Sequence, residues 1–302
     1  MKYELSGLVA ASLTPLHADG SVDLEPIPRI VDHLERTGVS GIYICGSTGE
    51  GISLTGDERR AVAEAYVAAA KGRLQTVVQV GHNSMAEAQT LAAHAAKIGA
   101  DAISATAPSY FKIDSIEMLV ACMAEIASGA PETPFYYYHI PALTGAALDM
   151  VEFLPAADAR IGNMVGMKYT TPEACVYQTC LNLQDGRFNV LWGRDEMFLS
   201  ALAVGARGAI GSTYNIAAPL YLKVLDAYRS GNMAEAQRLQ LLAVKAIRVL
   251  LRHPFLAVLK WLLGCGGCRL PQRNLTAEHA ARVKAELDAL GFFQWCGVEY
   301  HV

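Results

Sequence analysis

The chain has 302 residues, of which 52% are hydrophobic and 18% are charged, and its formal net charge is −4 at pH 7. This length supports a large packed core and also suits the larger single-domain architectures. The weakly acidic balance offers no basic field for nucleic acid or anionic lipid, so we expect a small-molecule substrate and no nucleic-acid or membrane partner. No apolar run approaches about 18 uninterrupted residues. The seven cysteines are an odd number, which favours reduced thiols and a cytoplasmic location.

Short apolar segments rich in β-branched or aromatic residues recur along the first two-thirds of the chain and predict strands. These segments span residues 8–13, 41–45, 76–80, 102–107, 134–139, 164–169, 190–192 and 208–211. Alanine-rich segments with helical spacing lie between them and predict helices over 24–36, 56–70, 85–98, 115–127, 148–157, 172–183 and 196–204. Thr55, three residues before Glu58, and Ser84, three before Glu87, have the spacing of helix N-caps.

Strands that alternate with helices indicate right-handed βαβ units and a parallel sheet. Eight such strands predict an α/β protein with a (β/α)₈ TIM barrel. A doubly wound open sheet is the alternative, but no G-x-G-x-x-G motif follows the first strand. After residue 216 only helices are predicted, over 219–229, 233–251, 254–263 and 277–290. We therefore expect a barrel over residues 1–230 and a C-terminal helical extension over 231–302.

In a parallel barrel the active site lies at the carboxyl ends of the strands, on the loops that follow them. Hydroxyl, lysine and carboxylate side chains occur at these ends. The stretches are "GSTGEG" (46–51), "APSYF" (107–111), "YYYHIPALTG" (136–145), "KYTT" (168–171), "WGRDEM" (192–197) and "GSTYN" (211–215). Each motif alone is a weak signal. Their common placement predicts a single site.

Lys168 ends the apolar run of the sixth predicted strand, within "VGMKYTT" (165–171). One interpretation is a strand-end lysine whose amine simply reaches water. The alternative is a nucleophile, because a neutral amine condenses with a ketone to a Schiff base, whose protonated nitrogen is an electron sink for carbon–carbon cleavage. Burial favours the neutral amine by lowering the pKa of a lysine from about 10.4. The polar residues at the neighbouring strand ends favour the nucleophile. This chemistry needs a group that transfers a proton, for which a tyrosine hydroxyl is suitable, and it requires no metal or organic cofactor.

Two further groups of residues are candidates for binding the substrate. Ser47, Thr48 and the amides of their glycine-rich loop can hold a small carboxylate. Asp195 and Glu196 can accept hydrogen bonds from substrate hydroxyls. For Glu196 the alternative is a loop brace, in which the carboxylate pairs with a nearby arginine (Arg194 or Arg207).

Other residue patterns carry weaker signals. Cys265 and Cys268 form C-x-x-C, but no second pair stands at the spacing of a zinc site, so reduced bystanders are the simpler interpretation. His139 follows Tyr138, and the sequence leaves open whether its ring faces the site. No G-x-S-x-G motif follows a strand, which disfavours a serine hydrolase.

Four motifs, "GSTGE" (46–50), "YYHIPALTG" (137–145), "GMKYT" (166–170) and "GSTYN" (211–215), occur in an order and spacing that resemble the Schiff-base pyruvate aldolase family. That family contains N-acetylneuraminate lyases and dihydrodipicolinate synthases. The resemblance covers roughly the whole barrel and continues weakly into the C-terminal helices. It implies a (β/α)₈ fold, a homotetramer and a Schiff-base reaction that needs no cofactor.

The resemblance also implies roles for individual residues. Lys168 resembles the Schiff-base lysine, and Tyr138 resembles the tyrosine that transfers the proton. Ser47 and Thr48 match the pair that binds the pyruvate carboxylate. Tyr110 falls on the catalytic tyrosine of the P-x-Y loop, although the spacing to Tyr138 indicates one inserted residue.

The branch of the family is indicated by two loops. Leu143 stands where dihydrodipicolinate synthases carry an arginine, and an uncharged residue cannot replace a bidentate guanidinium. "GRDE" (193–196) resembles the G-x-D-E motif of the N-acetylneuraminate lyases, which implies that Asp195 and Glu196 bind the hydroxyl chain of the sugar. Substrate-binding positions are also implied for Thr170, Gly193 and Ser212.

The resemblance therefore implies cleavage of N-acetylneuraminate to pyruvate and N-acetylmannosamine. One alternative is another aldolase, dehydratase or synthase of the family that acts on a different 2-keto sugar acid. A second alternative is a non-catalytic ligand-binding barrel. The intact Lys168–Tyr138 pair argues against the latter, because a binding protein needs no nucleophile.

Overall fold

A closed barrel of eight parallel strands forms the centre of the molecule. The computed structural model describes residues 3–296. The strands are β1 Gly7–Ala11, β2 Gly41–Ile44, β3 Gln75–Gln79, β4 Ala102–Thr106, β5 Phe135–His139, β6 Met164–Tyr169, β7 Asn189–Trp192 and β8 Gly208–Gly211. Each strand pairs in parallel with its neighbours in sequence, and β1 pairs with β8 to close the barrel. The predicted α/β barrel is confirmed.

Helices surround the barrel and continue beyond it. They are α1 Ile27–Arg36, α2 Gly56–Ala70, α3 Met85–Lys97, α4 Ile116–Ala127, α5 Pro141–Thr144, α6 Met150–Arg160, α7 Ala174–Asn182, α8 Phe198–Ala203, α9 Tyr214–Arg229, α10 Met233–Leu251, α11 Phe255–Leu262, α12 Ala277–Ala289 and α13 Phe292–Cys296. Both predicted N-caps form, since the Thr55 and Ser84 side chains accept from the amides of Glu58 and Glu87. Within residues 3–296, no helix is long and apolar enough to cross a membrane.

Several helix starts differ from the sequence-based prediction by one to five residues, and two of these differences have a local structural cause. The helix expected from residue 196 begins at Phe198, because a 3₁₀ turn over Asp195–Met197 precedes it. The helix expected from residue 219 begins at Tyr214, and Ala217 inside it is non-helical (φ −141°). Pro219 therefore lies just after this kink, where its missing N–H leaves little unsatisfied. Proline marked the second segment of a kinked helix and not its true start.

The core has two layers separated by the sheet. Eleven buried residues form the cluster inside the barrel, among them Tyr43, Tyr136 and Tyr138. A larger cluster fills the space between the sheet and the surrounding helices. Alternation along β5 explains the division, because Tyr136 and Tyr138 belong to the inner cluster and Tyr137 to the outer one.

The C-terminal helices are joined to the barrel by buried polar contacts. Helix α10 packs along α9, and its Gln240 side chain donates to the carbonyl of Asp195. Lys260 of α11 forms an ion pair with Glu50, which follows β2. A division into residues 1–230 and 231–302 stays a prediction, and these contacts indicate that the two parts pack as one body.

Candidate active site

Lys168 faces the barrel interior because β6 contains a bulge. Pairing with β5 shifts register there, since Phe135 pairs with Met164 but Tyr136 pairs with Gly166. Val165 and Lys168 consequently both point inward, although strict alternation would separate them onto opposite faces. Gly166 permits this geometry, since a β-carbon there would overlap the carbonyl of Asn189 on β7.

The amine of Lys168 lies among aromatic rings. The residue is 5% exposed. Its Nζ lies 4.2 Å from the ring centroid of Tyr138 and 4.7 Å from that of Tyr43. The two rings meet edge to face, with centroids 5.6 Å apart. The Tyr43 hydroxyl donates to Ser104 Oγ at 2.9 Å, and burial raises the pKa of Tyr43 well above its ordinary value. The Tyr43 phenol is therefore neutral, and its ring packs against the amine.

The loop that carries Ser47 and Thr48 is tightly constrained. Thr48 Oγ1 and Ser212 Oγ lie 2.7 Å apart in a hydrogen bond. Thr14 Oγ1 donates to the carbonyl of Gly49 at 2.7 Å. Gly51 packs against the start of the loop, since a β-carbon there would overlap the carbonyl of Cys45. These contacts hold two hydroxyl groups at the carboxyl end of β2, beside the Lys168 pocket.

Asp195 is buried at the start of the 3₁₀ turn that follows β7. Its Oδ2 accepts from the amide of Thr213 at 2.8 Å and from Thr213 Oγ1 at 2.6 Å. Gly211 leaves room for this carboxylate, because a β-carbon there would overlap Asp195 Oδ1. Burial raises the pKa of Asp195 above its ordinary 3.8, and the hydrogen bonds from Thr213 oppose that rise. Neither Thr213 bond involves Oδ1, the oxygen that packs on Gly211.

Glu196 and Thr170 both have partners within the chain. Glu196 Oε1 accepts from Arg194 Nη1 at 2.8 Å, so the predicted brace with an arginine forms, and Arg194 also donates to the Thr170 carbonyl at 2.8 Å. The Thr170 hydroxyl donates to the His139 carbonyl at 2.7 Å. A β-carbon at Gly193 would lie 2.5 Å from Thr170 Cγ2 and 3.4 Å from Lys168 Cε. Only glycine leaves this space open.

These residues line one cavity of about 570 Å³ at the carboxyl ends of the strands. The predicted site residues on its wall are Ser47, Thr48, Tyr138, Lys168, Thr170, Gly193, Asp195, Glu196 and Ser212. Hydroxyl groups and carboxylates therefore line the same cavity as the Lys168 amine. A volume of this size accommodates a small polar ligand.

Tyr110 is not brought to this cavity. Its side chain is 78% exposed and meets the ring of Phe111 edge to face. The amide of Tyr110 donates to Asn83 Oδ1 at 3.2 Å, which fixes the loop after β4 on the outer side of the barrel mouth. Within a single chain, the catalytic placement expected for Tyr110 is not observed.

The remaining sequence candidates are structural. The ring of His139 stacks on Tyr169, outside the barrel interior, with centroids 5.4 Å apart. Burial lowers the pKa of His139 to about 4, so the ring is neutral at pH 7. Cys265 and Cys268 are buried free thiols, and burial raises their pKa values to about 12 and about 11.

The cavity also has lining residues that the sequence did not indicate. Helix α10 contributes Val244, Ile247, Arg248 and Leu251, and α11 contributes Phe255. Their apolar spacing is that of ordinary helix packing, which gave no sign that they face a cavity. The sequence also gave no sign that Thr213 holds Asp195.

The profile of the family described as "Dihydrodipicolinate synthetase family" matches residues 4–290. The chain belongs to this family. N-acetylneuraminate lyase of Rattus norvegicus is 37% identical over 308 residues, which cover 99% of this chain and 96% of that protein. N-acetylneuraminate lyase of Xenopus tropicalis is 42% identical over 238 residues, 78% of each chain.

Solved structures of the same family superpose closely. N-acetylneuraminate lyase of Proteus mirabilis has a TM-score of 0.93 at 39% identity, covering 96% of this chain and 100% of that chain. N-acetylneuraminate lyase (sialic acid aldolase) of Aliivibrio salmonicida has the same TM-score of 0.93 at 39% identity, covering 96% of this chain and 98% of that chain.

Proposed function

We propose that this chain is a class I aldolase that cleaves N-acetylneuraminate to pyruvate and N-acetylmannosamine. The observation that carries the proposal is the buried amine of Lys168 in a cavity that hydroxyl groups and carboxylates also line. The similarity to proteins named N-acetylneuraminate lyase, at 37% identity over 99% of the chain, supports the substrate. The enzyme is therefore a carbon–carbon lyase.

Lys168 forms the covalent intermediate. Its amine attacks the C2 ketone of the open-chain sugar acid, and loss of water gives a protonated imine. The C4 hydroxyl then loses its proton, the C3–C4 bond breaks, and its electron pair moves through C2 to the iminium nitrogen. The products at this stage are an aldehyde and the enamine of pyruvate. Protonation of the enamine at C3 and hydrolysis of the imine release pyruvate and restore the amine.

Tyr138 transfers the proton, because its ring borders the Lys168 amine and the residue lines the same cavity. Ser47 and Thr48 hold the carboxylate next to the ketone through hydroxyl and amide donors. The iminium nitrogen is the electron sink, so the cleavage step requires no metal or organic cofactor.

The residues that follow β7 bind the polyhydroxylated tail. Asp195 and Glu196 accept hydrogen bonds from tail hydroxyls, since ionised carboxylates have no proton to donate. Thr170, Gly193 and Ser212 line the same cavity and are further substrate-binding positions in this proposal. A site built on such bonds discriminates against ligands that lack the hydroxyls, because its polar groups are then left unpaired.

We also propose a homotetramer in a reducing compartment. Large apolar side chains are exposed on the segments that follow β2, β4 and β5, namely Ile52, Tyr110, Phe111 and Leu143, and exposed apolar surface is typical of protein interfaces. A catalytic role for Tyr110 then requires movement of its loop or a neighbouring subunit's cavity. Sedimentation at about four times the 32.4 kDa chain mass is expected, and a monomer would contradict the assembly.

The deciding experiment traps the Schiff base. Wild-type protein incubated with pyruvate and borohydride gains one reduced adduct, which peptide mass spectrometry locates on Lys168. Lys168→Ala abolishes both the adduct and turnover while the circular-dichroism spectrum stays that of a folded barrel. Lys112 is the control lysine, since its amine already donates to the carbonyls of Ser109 and Thr144.

An adduct on Lys112, or no adduct at all, would overturn the Schiff-base assignment. Trapping of pyruvate without cleavage of N-acetylneuraminate would instead leave a pyruvate aldolase that acts on a different 2-keto sugar acid. The two measurements therefore separate the chemistry from the substrate.

A further inference from the structure

The loop that carries Ser47 and Thr48 is connected to the C-terminal extension by a buried ion pair. Lys260 Nζ on α11 lies 2.5 Å from Glu50 Oε1, and the two side chains are 0% and 2% exposed. The second carboxylate oxygen, Oε2, accepts from the amide of Arg269 at 2.8 Å. Both oxygens of Glu50 are thus held by the chain segment that follows the barrel.

A buried ion pair is a poor device for stability alone. Removing two charges from water costs more than their attraction returns unless the geometry is favourable, and apolar residues of similar volume often stabilise as well. Lys260 is also the only charged residue in the apolar sequence of α11. Its placement opposite Glu50 therefore indicates a requirement for a defined loop position.

The backbone of the loop shows that Glu50 needs such a restraint. Glu50 has a φ of +54°, in the left-handed region that a residue with a β-carbon seldom adopts. Strain of this kind persists only where surrounding contacts enforce it. The Glu50 side chain supplies those contacts, two residues beyond Thr48 along the same loop.

We propose that Lys260 and Glu50 are positioning residues that fix the Ser47–Thr48 hydroxyls relative to the Lys168 amine. The inference rests on the proposed function for its consequence, the binding of the pyruvate carboxylate. It assigns a role in the reaction to α11, a helix outside the barrel. Neither Lys260 nor the Glu50 carboxylate has to touch the substrate.

Three variants distinguish an effect on the position of the Ser47–Thr48 loop from an effect on the thermal stability of the fold. Lys260→Met removes the ammonium and leaves Glu50 charged and unpaired. The double variant Lys260→Met with Glu50→Gln removes both charges and should recover most of the thermal midpoint. Arg187→Met is the matched control, because Arg187 forms an ion pair with Asp158 at the opposite end of the barrel.

Hydrogen exchange of the ligand-free protein measures the restraint directly. The amides of Glu50, Gly51 and Ser53 all donate to carbonyls within the loop, so their exchange reports on loop opening. We expect Lys260→Met and the double variant to raise this exchange at least about 10-fold, and Arg187→Met to leave it unchanged. Unchanged exchange in both Lys260 variants would overturn the proposal.

Pyruvate trapping measures the consequence. In the folded double variant, the pyruvate concentration for half-maximal trapping should rise about 10-fold, while the limiting trapping rate changes by less than about 3-fold. Loop exchange that rises while the half-maximal pyruvate concentration stays at the wild-type value would overturn the positioning role. If wild-type protein traps no pyruvate, the proposed function fails, and the positioning role for the carboxylate falls with it, whatever the exchange shows.

Discussion

The two ends of the cavity are held in different ways. At the carboxylate end, the loop of Ser47 and Thr48 is fixed by an ion pair whose side chains are almost completely buried. At the tail end, the turn over Asp195–Met197 is held by the neutral amide of Gln240, and the Arg194–Glu196 pair is 36% and 37% exposed. One end is restrained by a buried ion pair. The other is restrained by buried hydrogen bonds from neutral groups, and its ion pair is about one-third exposed.

This difference matches what each end has to do in the proposed reaction. The carboxylate is bonded to the carbon that Lys168 attacks, so an error of about 1 Å in its position displaces the reacting atoms and can cost about 100-fold in rate. The tail is several bonds away and contributes mainly binding energy. A rigid restraint is therefore needed where the chemistry occurs, and a looser one suffices at the tail.

The largest effect is expected at the residue between the two ends. Tyr138→Phe removes the phenol and retains the ring beside Lys168, so kcat should fall by about 10²- to 10⁴-fold because proton transfer is lost. Pyruvate trapping and the KM for N-acetylneuraminate should change far less, since neither end is altered. Steady-state kinetics and borohydride trapping check this. A full wild-type kcat would assign the proton transfer to another group.

A second prediction concerns the carboxylate end. Thr48→Val is nearly isosteric and deletes a hydroxyl that also bonds to Ser212. A hydrogen bond to a charged ligand is worth about 1.5–3 kcal/mol, so half-maximal trapping should need about 10- to 100-fold more pyruvate. Ser212→Ala is the comparison that removes the protein partner and leaves the Thr48 hydroxyl in place. If both variants weaken pyruvate equally, Thr48 acts through Ser212 and does not hold the carboxylate.

A third prediction uses the charge at the tail end. Asp195→Asn retains an oxygen acceptor for Thr213 and removes the carboxylate, so the KM for N-acetylneuraminate should rise about 10-fold with pyruvate trapping unchanged. Glu196→Gln should have a smaller effect, because Arg194 already occupies one oxygen. If the pyruvate concentration for half-maximal trapping rises by the same factor as the KM, the two ends of the cavity do not act independently.

The pH dependence of the tail end follows from the same residue. Because burial raises the pKa of Asp195, the carboxylate takes up a proton as the pH falls toward that raised value, and the KM should rise. The folded state binds more protons than the unfolded state between the ordinary and the raised pKa, so stability falls as the pH increases through this window. Asp195→Asn should flatten both profiles, measured as KM and thermal midpoint against pH.

The sequence predicted the cavity wall well where a motif sits at a strand end. Lys168, Ser47 and Asp195 were placed correctly on the cavity wall because parallel strands bring their carboxyl ends together. Their chemical roles stay predictions. The alternation of side chains along a regular strand does not predict that Lys168 points into the barrel, because that orientation depends on the bulge that Gly166 permits.

Contacts between residues far apart in the chain could not be predicted from the sequence. Gln240 lies 45 residues beyond Asp195, and Lys260 lies 210 residues beyond Glu50. Nothing local marks either partner, although a single lysine in an apolar helix is a signal that was available for Lys260. The exposure of Tyr110 was missed for a related reason, since a loop motif does not specify which way its side chain points.

The smallest effect is expected from Gln240, which holds the tail end without touching the reaction. Its Nε2 donates to the carbonyls of Asp195 and Glu196 at 3.2 Å each, and its Oε1 accepts from the amide of Leu199 at 3.0 Å. Gln240→Leu keeps the size of the side chain and leaves these three backbone groups without it. The turn should become more mobile, because these three bonds join it to α10, although the Asp195 carbonyl still accepts from the amide of Phe198.

The expected result for Gln240→Leu is a KM for N-acetylneuraminate that rises about 3- to 5-fold, with kcat and pyruvate trapping near wild type. Gln237→Leu is the control, because Gln237 lies on the exposed side of the same helix. A thermal midpoint that falls with no change in KM would show that Gln240 only stabilises the fold. If the pyruvate concentration for half-maximal trapping rises together with the KM, α10 restrains both ends of the cavity. Greater mobility of the turn over Asp195–Met197 would then affect the Ser47–Thr48 loop through the hydrogen bond between Thr48 and Ser212.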